Sequence, residues 1–119
     1  QILLMEQPPV VAGLGNRNLS QYMFYIGIEP ETGVRRYLPA APSHHGRELV
    51  RRLCKLHART NYIPTYDVYA LEGETLVLDG KEAVYIDDDH LSTYGATLAT
   101  PAIATAIEQA LDSASLAEE

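Results

Sequence analysis

Ile2-Leu3-Leu4-Met5 is an uninterrupted apolar run that closes almost at once on Gln7-Pro8-Pro9. Such a run, with no polar alternation, suits a strand covered on both faces, as in a parallel sheet. Neither proline can donate to a ladder, so the strand must stop there. A strand of this kind needs helices against it, and short apolar segments alternate with helical ones along the rest of the chain. The expected fold class is therefore α/β, layered around one sheet. The 119 residues are enough for one domain with a core and too few for two.

Residues 12–20 (AGLGNRNLS) read as loop, and Leu19 to Ile28 fits either a short helix or a strand. Residues 29–42 are turn-rich, with a tight turn expected at Glu31-Thr32-Gly33. The clearest helix runs from Ser43, a suitable N-cap, to Thr60, with Leu49, Val50, Leu53, Leu56 and His57 at helical spacing. Arg47, Arg51, Arg52, Lys55 and Arg59 are expected mostly on its wet side, the pattern of an amphipathic helix packed on a sheet. Tyr62 to Tyr69 reads as a strand leading into a loop, and Leu76-Val77-Leu78 as a short strand before a turn at Asp79-Gly80. Ala83 to Ile86 is β-prone. Helix is expected again from Ser92, with a kink or a fresh start at Thr100-Pro101 running to about Ala110, and a fraying tail after Asp112.

Charge excludes some partners. Nine Lys/Arg against sixteen Asp/Glu give −7, which disfavours nucleic acid held through its phosphates. Residues 1–60 hold eight basic and four acidic side chains, whereas residues 61–119 hold one and twelve, so the two halves should attract each other. The single cysteine, Cys54, excludes an internal disulfide and a thiolate metal cluster. No apolar run approaches the roughly 20 residues of a membrane-spanning helix. The start at Gln1 has neither signal-peptide character nor an initiating Met, and reads as a chain entered in mid-strand.

The densest polar constellation is Asp87-Asp88-Asp89-His90, between a β-prone segment and a helix start. Turns of this kind are where α/β proteins place functional groups. The spacing of Asp87 and His90 lets the carboxylate reach a ring nitrogen, fix the tautomer and stabilise the imidazolium, leaving the other nitrogen as general base. The same string also fits plain capping and dipole complementation, with His90 a solvated passenger. A third reading is a cation site, joined by His44 and His45, although no recognisable ligand spacing is present. Ser92 suits a helix N-cap better than a nucleophile.

The string Val84-Tyr85-Ile86-Asp87-Asp88-Asp89-His90-Leu91-Ser92 with Gly95-Ala96 resembles the last motif block of SGNH-type hydrolases and transferases, Asp-x-x-His. In its longer form it is similar to the SGNH domain fused to acyltransferase-3-type membrane proteins. Gln7-Pro8, Leu53-Cys54 and Ile63 to Tyr69 fall in the family's order, so the likeness covers most of the chain loosely and residues 84–96 specifically. The resemblance implies a partial flavodoxin-like, three-layer domain with a mostly parallel sheet, residues 1–119 being a single domain or the C-terminal half of one. It implies that Asp87 is the orienting acid and His90 the base of a Ser-His-Asp triad, with no cofactor. It further implies a bacterial parent linked to the membrane, at the periplasmic or extracytoplasmic face, that moves an acyl group from a donor to a cell-surface carbohydrate acceptor.

The family's Gly-Asp-Ser block does not occur in these residues, so the resemblance puts the serine in a missing N-terminal half and predicts that the isolated chain is inactive. Gly15-Asn16 looks like the family's Gly/Asn element but stands out of order, and reads as a turn. Ser20, Ser43, Ser92, Ser113 and Ser115 read as caps or surface residues, none in a Gly-x-Ser-x-Gly elbow. The competing reading is a non-catalytic carbohydrate-binding or assembly module, for which eight tyrosines offer an aromatic platform.

Overall fold

The structure, a computed structural model, describes residues 1–42 and 45–118, with side chains as far as Ala114. Ser43, His44 and the side chain of Ser115 thus lie outside the described residues. Eleven elements follow in order: β1 (Ile2–Met5), α1 (Leu19–Ile26), β2 (Arg35–Pro39), α2 (His45–Leu56), β3 (Thr60–Ile63), α3 (Thr65–Tyr69), β4 (Ala70–Leu71), β5 (Glu74–Asp79), β6 (Glu82–Ala83), α4 (Thr93–Thr97) and α5 (Thr100–Glu118).

The class is mixed α/β, but the sheet is not mostly parallel. Among the described residues only β1 and β3 pair in parallel, Ile2 opposite Thr60 and Met5 opposite Ile63. The other strands form an antiparallel sheet in which β5 is flanked by β2 and β4, with β6 also paired to β5. Two tight hairpins dictate this. Glu72 and Gly73, both at positive φ (48° and 82°), turn β4 into β5, the twist that a two-residue hairpin requires. Gly80, at φ 62°, turns β5 into β6. Two-residue connections can join antiparallel neighbours only.

Around β1 and β3 the arrangement is locally three-layered. Ile2 and Leu4 share a groove with Leu53 and Leu56 of α2, whereas Leu3 shares a cavity with Ala106 and Gln109 of α5. Alternate side chains of a strand point to opposite faces, so the two helices cover opposite sides. The main core lies elsewhere, on β5. Thr75, Leu76, Val77 and Leu78 are consecutive and buried, joined by Leu19 and Met23 of α1, by Leu38, Tyr69, Val84 and Tyr85, and by Val11 and Leu14.

Local chemistry explains several boundaries. The segment at 19–28 is a helix because Asn18 and Gln21 form a capping box, the Asn18 side chain accepting from Gln21 N at 2.8 Å. Gly27, at φ 79°, closes that helix in the left-handed conformation. Pro64 ends β3 at Ile63, and where Tyr62 to Tyr69 was expected to be a strand leading into a loop, the strand is followed by the single turn of α3. The turn at Glu31 forms, Val34 N donating to Glu31 O at 3.1 Å, but the supposed loop beyond it contains β2, held by its ladder to β5. A fresh helix does start at Thr100, and it continues through the expected frayed tail to Glu118. Ala, Leu and Glu in that tail are strong helix formers.

Helix α2 is shorter than expected and buries no residue fully. Leu49, Leu56 and His57 are exposed. Arg47 and Arg51, expected on the wet side, turn towards the end of β1. Their guanidinium groups donate to Glu6 Oε2 at 3.4 and 2.7 Å, and the Glu6 side chain is wholly buried. A buried carboxylate demands such partners. Arg47 also reaches Asp67, and Arg35 reaches Asp79, so the opposed charges of the two halves do meet.

Candidate active site

The sequence Ala83-Val84-Tyr85 passes through the core and emerges at Ile86. Val84 and Tyr85 are almost completely buried, while Ile86 is exposed. Tyr85 is fastened by its hydroxyl, which donates to Pro9 O at 2.6 Å and lies 3.1 Å from Thr75 Oγ1. Burial raises its phenol well above the usual range, so it stays neutral. Beyond Tyr85 the chain makes a tight excursion and returns. Ile86 N donates to His90 O at 2.8 Å, Tyr85 bridges Leu91, and Ser92 N donates to Val84 O at 2.9 Å.

The stem of this turn is gripped from both sides. Val11 N donates to Asp88 O at 2.7 Å and Leu19 N to Ile86 O at 2.9 Å, which ties the turn to the glycine-rich loop before α1. On the far side Ser92 caps α4, its Oγ accepting from Gly95 N at 2.9 Å and donating to Ala83 O at 2.5 Å. Gly95 lies directly on the strand. A Cβ there would stand 2.0 Å from Val84 O, and Tyr69 donates to the Gly95 carbonyl at 2.7 Å. The turn therefore stands on rigid surroundings although its own side chains are wet.

Within the turn, Asp87 is the organiser. Its Oδ1 accepts from Asp89 N at 3.0 Å and from His90 N at 2.7 Å, and its Oδ2 lies 2.9 Å from His90 Nδ1. The two backbone amides, with the ring beside them, hold this carboxylate down at about 2. The Asp87 hydrogen bond in turn raises the imidazole above its ordinary value of 6.5. The ring is 73% exposed, and Nε2 has no partner among the described residues. The arrangement can hold the Nδ1–H tautomer and leave Nε2 as a basic nitrogen open to solvent.

The two residues singled out in the sequence, Asp87 and His90, are thus in contact. Other candidates are elsewhere. Gly15-Asn16 sits in an ordinary turn, Arg17 N donating to Leu14 O, and Ser92 is the cap it was expected to be. His45 opens α2 and lines a separate cavity of about 270 Å³ with Glu48, Leu49 and Arg52. Asp87, Asp89 and His90 each bring a ligand-type atom within 4.8 Å of the others, without His45. Of these, the Asp87 oxygens already serve two backbone amides and the ring nitrogen. The contact of Asp89 Oδ1 with His90 Nδ1, at 2.8 Å, was not anticipated. Neighbours in a run of three aspartates carry no sequence signal for which of them turns inward.

The family model described as SGNH domain (fused to AT3 domains) matches residues 1–105. No curated protein and no solved structure matches the chain. Among the described residues no helix is long and apolar enough to cross a membrane.

Proposed function

The chain belongs to the family of SGNH domains fused to AT3 domains, of acyltransferase and esterase type, and on that premise we propose that it supplies the acid and base of an O-acyl transfer site acting on cell-surface carbohydrate. The observation that carries the reading is the Asp87 Oδ2–His90 Nδ1 contact at 2.9 Å with Nε2 left open. His90 Nε2 takes the proton of a serine hydroxyl contributed from outside residues 1–119 as the serine oxygen bonds to the acyl carbonyl carbon. Asp87 holds the imidazolium so formed. The proton passes to the departing donor oxygen, leaving an acyl-serine. A sugar hydroxyl, or water in ester cleavage, then gives its proton to Nε2 and takes the acyl group, and the serine recovers its proton.

The same reading assigns the free edge of β1. A parallel sheet of two strands is too small to stand by itself, and among the described residues β1 has a strand neighbour on one side only. Ile2 and Met5 are exposed on β1, and Ile2 and Leu4 line a groove with Leu53 and Leu56. The rest of a flavodoxin-like SGNH domain, carrying the serine, docks along that edge. Its parent works on the extracytoplasmic face of a bacterial membrane.

In the longer protein that contains the serine, His90→Ala is expected to reduce turnover by about 10⁴-fold or more, as for other triad histidines. A serine-directed fluorophosphonate should label that protein and leave residues 1–119 unlabelled. Retained turnover in H90A would overturn the assignment, and glycan binding without labelling would favour a non-catalytic module.

A further inference from the structure

Three carboxylate oxygens surround one ring nitrogen. His90 Nδ1 lies 2.9 and 3.1 Å from the two oxygens of Asp87 and 2.8 Å from Asp89 Oδ1. An imidazole nitrogen carries one hydrogen; Asp87 is the acid hydrogen-bonded there, and Asp89 stands beside it as an ion-pair partner. They are not equivalent. Asp87 Oδ1 already accepts two backbone amides, which withdraw charge from it and keep it in place. No backbone amide is bonded to the Asp89 carboxylate among the described residues, so its charge is free to act on the ring. It is also the side chain whose protonation is favoured, by burial and by the neighbouring acids, over its ordinary carboxylate value.

We propose that Asp89 is a second positioning acid for His90, its charge beside Nδ1 stabilising the imidazolium together with the hydrogen-bonded Asp87. This rests on the acid–base role proposed for His90. In it Asp87 shapes the turn and fixes the ring, while Asp89 supplies the more responsive share of the negative charge. The charged groups acting on the ring are Asp87, Asp89 and, more weakly, Asp88. The segment packed against the turn, residues 10–19, contributes Arg17, whose guanidinium stacks on Tyr25 at 4.2 Å.

The test reads the proton on His90 rather than turnover. In the full chain with ¹³Cε1-labelled histidine, the H90Q variant identifies the His90 signal among the four histidines. D89N should lower the His90 titration midpoint by at least half as much as D87N does, and D89E should restore it. D89N removes no backbone hydrogen bond of the turn, so its amide spectrum should stay native, whereas D87N should perturb the amides of Asp89 and His90. A D89N midpoint equal to wild type, with D87N lowering it alone, would overturn the proposal. If D89N shifts the midpoint and H90A in the longer protein keeps its turnover, the role of Asp89 at the ring stands and the catalytic reading fails separately.

Discussion

Asp87 and His90 titrate in opposite directions, and each direction has a consequence. Asp87 is held at about 2 against an ordinary value of 3.8, so its contribution to the turn is complete above that value. It is lost as pH falls from about 4 towards about 2. His90 is raised, so its contribution is complete below 6.5 and is lost as pH rises through the shifted midpoint. The turn should therefore be best ordered between these limits, which amide exchange at Asp89 and His90 would follow. Turnover in the serine-containing protein should rise with pH on passing the raised His90 midpoint, because only the neutral ring accepts a proton. Removing the Asp87 charge should move that limb to lower pH, and a limb that stays in place would contradict the pairing. The Asp-x-x-His spacing made this pair readable before any fold was known. The Asp89 contact was not readable, because it depends on the path of a backbone pinned at Val11 and Leu19.

At the scale of elements, the decisive contact is α4 against Val84. Gly95 is not at positive φ, so alanine suits its backbone, and in an open helix the change would stabilise by up to about 1 kcal/mol. Here the added Cβ would meet a backbone oxygen that cannot swing aside. Gly95→Ala is expected to cost about 1–3 kcal/mol instead, through displacement of α4 and loss of the Tyr69 bond. A denaturant midpoint unchanged from wild type would show that the helix adjusts freely. The Ser92 cap acts within three residues and is legible as a string, whereas the Asn18–Gln21 box, although as local, was not anticipated, and the segment it starts fitted helix and strand alike. Strand β2 is not legible as a string. Its residues have the composition of a turn-rich segment, and only the ladder to β5, with a register shift between Arg36 and Tyr37, makes them a strand. The arginines of α2 teach the same lesson, since helical periodicity alone places Arg47 and Arg51 with the solvent and a buried Glu6 brings them back.

For the whole molecule, the radius of gyration of 16.5 Å exceeds the roughly 13–14 Å of a compact chain this long. Ile107 and Leu111 of helix α5 are exposed. If the rest of an SGNH domain docks on β1, the β1 amides facing away from β3 should exchange slowly in the serine-containing protein and rapidly in residues 1–119. Equal exchange in both would mean that the edge stays free. From the residues alone came the layered α/β class, the first strand and its proline stop, the basic helix, the helix start at Thr100 and the Asp–His turn. Each rests on interactions between near neighbours in the chain. Only tertiary structure decided that the larger sheet is antiparallel, that two arginines serve a buried glutamate, and that a second carboxylate touches the imidazole. Those outcomes depend on groups far apart in sequence, or on a turn whose shape is imposed by its packed surroundings.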